Sequence, residues 1–287
     1  VTRTYQTGHP IWCAGCGHFG VQAAMLQALE RAGIELYETL VLAGIGCSGT
    51  VQNNIGAYGY HAMHGRVLPT AIGASLANPD LTVIATGGDG DGYAIGGGHL
   101  MHGLKRNPNL LYVVMNNGVY GLTKGQDSPS KEVPIAAPEE SPLDTMMLGL
   151  SIQNTTFLAR AITTRSEQLN DLVLAGLNHA REGKGMAFIE VLSPCVTYND
   201  TYPQWMNKVY DVDADSGYDK RDRGKAFFDV FKLVQASRIP IGLIYHGEHV
   251  SLQSSLLSEV APIHALDDGH AEHTREHLEN VLSSYAV

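Results

Sequence analysis

Two short segments do most to fix what this chain can fold into. LTVIATGGDGDG (81–92) and LLYVVMNNG (110–118) each begin as an apolar, β-branched run and break into glycine beside aspartate or asparagine. A short run that is apolar on both faces reads as a strand buried in a parallel sheet. Between them, residues from about 94 to 106 predict a helix closed by an Asn-Pro turn. Strand, glycine-rich turn, helix, turn, strand is a right-handed βαβ crossover, so both strands run parallel and end at the same sheet edge.

The rest of the chain extends that pattern. A helix is expected just after Cys16, with Val21, Ala24, Met25, Ala28 and Leu29 on one face and Gly33 to end it. TLVLAG (39–44) reads as a buried strand. FLARAI and MAFIEVL read as strands flanking a helix over SEQLNDLVLAGLNHAREG, with Ser166 as its N-cap. IPIGLIY (239–245) is a later strand. KEVPIAAPEESP (131–142) is expected to be a loop, 196–223 an aperiodic aromatic wrap, and HTREHLENVLSSYA a C-terminal packing helix. The order of elements implies an α/β fold with an open, doubly wound, mostly parallel sheet. The assigned division is 1–200 for the main domain and 201–287 for an extension that packs on it as interface or cover.

Charge and hydropathy exclude some classes of function. With 19 Lys plus Arg against 29 Asp plus Glu, the formal charge of −10 argues against a nucleic-acid partner. No apolar run reaches the roughly 18 residues of a membrane span, and the N-terminal stretch lacks the apolar core of a signal peptide. A cytoplasmic protein with no membrane association is therefore expected.

In a parallel sheet, ligands gather beyond the carboxyl ends of the strands. Asp89 and Asn117, 28 positions apart, end consecutive strands. Their carboxylate and amide oxygens are hard donors of the kind magnesium takes alongside phosphate, while the glycines around Asp89 let backbone amides approach a polyphosphate. Taken alone, GDGDG is also compatible with a plain tight turn. The pairing with NNGVYG favours a site, and GDG followed by an Asn pair at this distance resembles the thiamine diphosphate motif. That resemblance implies Asp89, Asn117 and the Val119 carbonyl as magnesium (Mg2+) ligands. It also implies diphosphate contacts from Gly88, Gly90, Gly121, Leu122 and Thr123.

Four cysteines remain to be explained. Cys13 and Cys16 form a CxxC pair, whereas Cys47 and Cys195 stand alone, each just past a predicted strand end. That brings all four thiols towards one edge of the sheet. Four thiolates suit a tetrahedral zinc or an iron–sulfur cluster, and spacing leaves both open, together with plain burial of Cys47 and Cys195.

WCAGCGH, GIGCSG, HGR (64–66), GDGDGYAIGGGHLMHGLKRN, NNGVYGLTKGQ and SPC occur in that order from about residue 8 to 200. Together they strongly resemble the β subunit of 2-oxoacid:ferredoxin oxidoreductases, with two departures from the family's common pattern: Ala14 for Pro between the cysteines, and Gly98 for Asn. The resemblance implies a sheet of the thiamine diphosphate-binding type. It implies a [4Fe-4S] cluster on Cys13, Cys16, Cys47 and Cys195, and further cofactor contacts from Gly46, Cys47 and Asp91.

The reaction implied is oxidative decarboxylation of a 2-oxoacid with coenzyme A (CoA), electrons leaving through the cluster to ferredoxin. Low-potential electrons also permit the reverse carboxylation. Because 287 residues hold only the diphosphate half of such an enzyme, an α subunit that bears the pyrimidine-binding domain is expected, in an (αβ)2 assembly. The segment around Tyr198, Tyr202 and Trp205 would then serve as interface or cluster cover.

Among His61, His64, His99 and His102, His64 gains weight from its HGR setting. Lys124 is placed to meet a substrate carboxylate, which favours 2-oxoglutarate over pyruvate. Two rival readings stay open: a non-oxidative thiamine enzyme with structural zinc, and a non-catalytic iron–sulfur electron-transfer module.

Overall fold

A computed structural model describes residues 5–132, 141–257, 279–280 and 282–283. In chain order the elements are α1 (His18–Ala32), β1 (Thr39–Ala43), β2 (Tyr58–His61), α2 (Val67–Ala77), β3 (Thr82–Gly88), α3 (Gly97–Arg106) and β4 (Leu111–Asn116). There follow β5 (Val119–Tyr120), β6 (Gln126–Asp127), α4 (Thr145–Ser151), β7 (Phe157–Ile162), α5 (Ser166–Arg181) and β8 (Ala187–Leu192). α6 (Tyr202–Lys208), β9 (Val209–Asp211), α7 (Arg223–Gln235), β10 (Ile239–His246) and α8 (Leu252–Leu256) complete the described elements.

Eight strands form one sheet in the order β2-β1-β3-β4-β8-β7-β10-β9, and β5 and β6 make a separate two-residue hairpin. Pairings from β2 across to β7 are parallel, and only β10 against β7 is antiparallel, with an irregularity between Leu243 and Tyr245. The sheet is thus doubly wound and mostly parallel, as its sequence order implies.

Alternation along the strands sends two apolar sets to opposite faces. Leu111, Val113 and Met115 of β4 pack with α1 and α5, while Tyr112 and Val114 pack with α2, α3 and α4. Each fully buried aliphatic side chain of this kind contributes about 2 kcal/mol relative to exposure. Gly33 closes α1 in the left-handed conformation (φ 65°), its amide donating back to the Glu30 carbonyl oxygen.

Three local expectations change. The helix after β3 starts earlier than its periodicity suggests. A π-type turn over Gly90–Ile95 precedes α3; the Gly96 amide donates to the Asp91 carbonyl oxygen, and a Cβ at Gly96 would fall on the Asp91 and Gly92 carbonyls. Ser166 is the first helical residue of α5 rather than its cap; Arg165 holds the cap position without a side-chain bond. Segment 196–223, expected as an aperiodic wrap, contains α6 and β9. Pro203 starts α6, Trp205 is buried at 3%, and β9 pairs in parallel with β10 at the sheet edge.

Most of the expected 131–142 loop lies outside the described residues. So does the C-terminal helix, except at 279–280 and 282–283, which are helical. Among the described residues no helix is long and apolar enough to cross a membrane.

Candidate active site

The carboxyl ends of β1, β3, β4 and β8 meet at one rim, and the loops leaving them build two adjoining cavities. Asp89 follows β3 directly and is 1% exposed. Its Oδ2 accepts hydrogen bonds from the Ser128 and Ser130 hydroxyls, and its Oδ1 accepts a long one from the Asn117 amide at 3.4 Å. Burial pushes the Asp89 carboxyl up from the usual range, although these bonds oppose the shift. Asn117 Oδ1 accepts from the Val119 amide at 3.0 Å, with Gly118 between them at φ 69°. The Asn117 carbonyl oxygen accepts from Asn199 Nδ2 at 2.8 Å.

A second carboxylate lies beside the first. Asp91 is 2% exposed, and its Oδ1 accepts from the Ile45 amide (3.0 Å), the Gly65 amide (2.8 Å) and His64 Nδ1 (2.7 Å). Its Oδ2 has no partner among the described residues. Gly44 and Gly65 permit this packing. A Cβ at Gly44 would fall on the Asp91 carboxylate, and one at Gly65 would fall on Ile95. Gly90 is held to the same standard by the Tyr120 ring, whose hydroxyl donates to the Gly90 carbonyl oxygen at 3.1 Å.

The first cavity, about 160 Å³, is lined by Gly46, Cys47, His64, Gly88, Asp89, Gly90, Asp91, Asn117, Val119, Gly121, Leu122 and Thr123, together with His18, Ile45, Ser48 and Tyr120. Lys124 is not part of that lining. It is exposed and adopts a left-handed conformation (φ 75°) just beyond it. His61 is exposed on β2, His102 is exposed on α3, and His99 contacts Arg66 at 3.1 Å.

Cys13, Cys16, Cys47 and Cys195 line the second cavity, about 190 Å³. Three loops are tied together there. Trp12 Nε1 donates to the Cys47 carbonyl oxygen at 2.7 Å, and the Gly17 amide donates to the Pro194 carbonyl oxygen at 3.1 Å. A Cβ at Gly17 would stand 2.7 Å from the Ser193 backbone. One at Gly121 would lie 3.7 Å from Sγ of both Cys47 and Cys195. Burial, reinforced by the neighbouring thiols, raises Cys16 to about 11 and raises Cys47 as well. Such thiols ionise only where cations offset their charge.

The two cavities share a wall made of His18, Cys47, Asn117, Gly121 and Leu122. His18 is 1% exposed, burial lowers it to about 4, and its Nδ1 lies 2.6 Å from the Ser193 hydroxyl. Among the described residues no three His, Cys, Asp or Glu side chains are grouped so as to hold a single metal ion.

Sequence reasoning missed Ser128 and Ser130, which no motif marks. It also missed a buried network beneath Asn116. Glu190 accepts from Arg160 Nε (2.5 Å), Tyr93 (2.9 Å) and Asn116 Nδ2 (3.0 Å). Here a signal existed, because Arg160 and Glu190 are the only charged residues in two otherwise apolar strands and stand in register.

Comparison with known proteins gives concordant matches. The family model for the thiamine pyrophosphate enzyme C-terminal TPP binding domain matches residues 39–191, and that for the C-terminal part of the pyruvate ferredoxin oxidoreductase β chain matches residues 195–261. The chain is 37% identical over 268 residues to a 2-oxoacid:ferredoxin oxidoreductase subunit β of Saccharolobus solfataricus, covering 88% of this chain and 86% of that one. It is 36% identical over 195 residues to the 2-oxoglutarate synthase subunit KorB of Methanothermobacter thermautotrophicus, 66% of each. Among solved structures, a 2-oxoglutarate:ferredoxin oxidoreductase from Magnetococcus marinus, with 2-oxoglutarate, coenzyme A and succinyl-CoA bound, matches with a TM-score of 0.82. Its identity is 31%, and 94% of both chains is covered.

Proposed function

The chain belongs to the β subunits of the 2-oxoacid:ferredoxin oxidoreductases, and from that premise we propose that it carries the diphosphate half of a thiamine-dependent centre and a [4Fe-4S] cluster. With an α subunit in an (αβ)2 assembly, it converts a 2-oxoacid and CoA to acyl-CoA and carbon dioxide. 2-Oxoglutarate is the favoured substrate, supported by the names of its relatives. Electrons pass to ferredoxin, and a low-potential donor drives the same site in reverse, fixing carbon dioxide in the cytoplasm. Residues beyond about 200 serve as interface and cluster cover.

The observation that carries this reading is the wall common to the two cavities, since Cys47, Asn117 and Gly121 face both. The donor set fits the implied groups. Asp89, Asn117 and the Val119 carbonyl would hold magnesium. The nearby unpartnered Asp91 oxygen adds negative charge that a divalent cation offsets. Gly88, Gly90 and the 121–123 turn would run along the diphosphate, with Gly46, Cys47 and Asp91 completing the contacts. The four thiols lie around a cavity rather than around a point, which favours a cluster over zinc.

Thiamine diphosphate, when bound, supplies the nucleophilic carbon and the electron sink. A cluster held by Cys13, Cys16, Cys47 and Cys195 would supply one-electron chemistry beside it. The chain itself orients the diphosphate, excludes water with Leu122 and Tyr120, and offers His64 and Lys124 at the substrate side.

Anaerobic purification of the αβ complex tests the reading. About four irons and four acid-labile sulfides per β chain are expected, together with magnesium-dependent thiamine diphosphate binding and CoA-dependent oxidation of 2-oxoglutarate. Zinc in place of iron would support the non-oxidative rival. Iron without thiamine diphosphate binding would support an electron-transfer module.

A further inference from the structure

Asp91 and His64 form a dyad whose geometry exceeds what cofactor binding requires. Asp91 is buried between the β1 and β3 ends, and three donors converge on a single oxygen, Oδ1: the Ile45 and Gly65 amides and His64 Nδ1. Two of those donors are backbone N–H groups, so the carboxylate oxygen is an acceptor and cannot itself carry the proton it would need to donate to the ring. The shared hydrogen is therefore on His64 Nδ1. With Nδ1 carrying that hydrogen, the lone pair of the deprotonated ring is at Nε2.

His64 lines the first cavity with its side chain 41% exposed, edge-on to Tyr120 at 6.3 Å between ring centroids. Its Nε2 has no hydrogen-bond partner among the described residues. A buried carboxylate fixing the tautomer of an imidazole whose other nitrogen faces a reaction cavity is the arrangement of a general base.

Resting on the function proposed above, we infer that His64 Nε2 removes the thiol proton of coenzyme A and that Asp91 is its positioning residue. The stoichiometry identifies the proton. A 2-oxoacid anion, CoA–SH and two oxidised ferredoxins give acyl-CoA, carbon dioxide, two reduced ferredoxins and one H+, and that H+ is the hydrogen of the thiol. In the step assigned here the S–H bond breaks, an Nε2–H bond forms, and both electrons of the S–H bond stay on sulfur. The imidazolium is stabilised by the Asp91 carboxylate until its proton passes to solvent through the exposed side of the ring. An alkyl thiol is mostly protonated near neutral pH, so a base at this position raises the thiolate fraction where it is used.

The test separates the CoA-dependent step from what precedes it, in the holo αβ complex. Two rates are followed: reduction of the iron centre by 2-oxoglutarate alone, and formation of succinyl-CoA once CoA is added. In His64→Asn, whose side-chain amide can still donate to Asp91, acyl-CoA formation should fall about 100-fold. Iron reduction without CoA should fall far less, so that the ratio of the two rates drops. In His64→Ala, added imidazole should restore part of the acyl-CoA rate. In Asp91→Asn, with thiamine diphosphate saturating, the acyl-CoA rate should fall more than the rate of iron reduction by 2-oxoglutarate alone.

Equal loss of both rates in His64→Asn, or a CoA-dependent rate like that of the unmodified complex, overturns the assignment, as does His64→Ala without imidazole rescue. If the unmodified complex shows no iron reduction by any 2-oxoacid, the proposed function fails rather than the dyad.

Discussion

The indole Nε1 of Trp12 donates to the carbonyl oxygen of Cys47 at 2.7 Å, joining two cysteine loops that lie 35 positions apart in the chain. The ring also packs edge-on against His18 and Phe19. Trp12→Phe keeps much of the ring and removes the donor, at a cost of about 1 kcal/mol. The expected result is an enzyme that folds and binds thiamine diphosphate but loses iron faster under air, followed by the decay of its visible absorbance. An unchanged rate of decay would mean that the bond does not hold the loops.

Gly17 makes the same loop pair close-packed, since its Cβ would stand 2.7 Å from the Ser193 backbone beside Cys195. Gly17→Ala should therefore separate Cys13 and Cys16 from Cys195. Iron content well under half that of the unmodified complex is expected, measured against protein in the purified, assembled enzyme.

Asp89 and Asn117 are the proposed magnesium ligands, and Ser128 and Ser130 donate to Asp89. Asp89→Ala should weaken thiamine diphosphate binding at least about 100-fold and abolish its dependence on magnesium. Ser130→Ala should weaken it by about tenfold, the worth of one charge-assisted hydrogen bond. Iron content should not change in either variant. Calorimetric titration at several magnesium concentrations measures each.

Lys124 is exposed just outside the first cavity and is proposed to meet a second carboxylate of the substrate. Lys124→Ala should lower kcat/KM for 2-oxoglutarate about tenfold relative to pyruvate, about 1.4 kcal/mol. An unchanged ratio assigns this lysine to the solvated rim.

His179 gives the fold a pH dependence of known sign. It is 3% exposed, and burial, with His246 and Lys184 nearby, lowers it to about 4 from 6.5. The unfolded chain therefore binds the proton first. Stability is full above pH 6.5 and is lost as pH falls towards 4, by up to about 3 kcal/mol. Thermal unfolding of His179→Gln, which keeps a partner for Thr156, should be flatter across that window than that of the unmodified protein.

The parts of the fold legible in the sequence are those fixed by short-range pattern. β1, β3, β4, β7, β8 and α1 follow from apolar runs and glycine stops, and the positions of Cys47 and Cys195 follow from the strand ends they sit past. α6 and β9 were not legible, because Trp205 and Val209 are buried by contacts with distant strands rather than by local period. Ser128 and Ser130 were hidden for a similar reason. They reach Asp89 only because the β5–β6 hairpin folds back over the end of β4, and nothing in DSPSKE announces that return. Arg160 and Glu190 were readable, since each is a lone charge in an apolar strand and the two strands pair in register.

Electrons are proposed to leave the first cavity through the wall it shares with the four cysteines. The most direct test is electron paramagnetic resonance of the anaerobic αβ complex, frozen after addition of 2-oxoglutarate without CoA. The expected spectrum shows a reduced [4Fe-4S] signal in the unmodified complex that is lost in both Asp89→Ala and Cys195→Ala. A complex that decarboxylates 2-oxoglutarate while its iron signal stays unchanged would contradict this route.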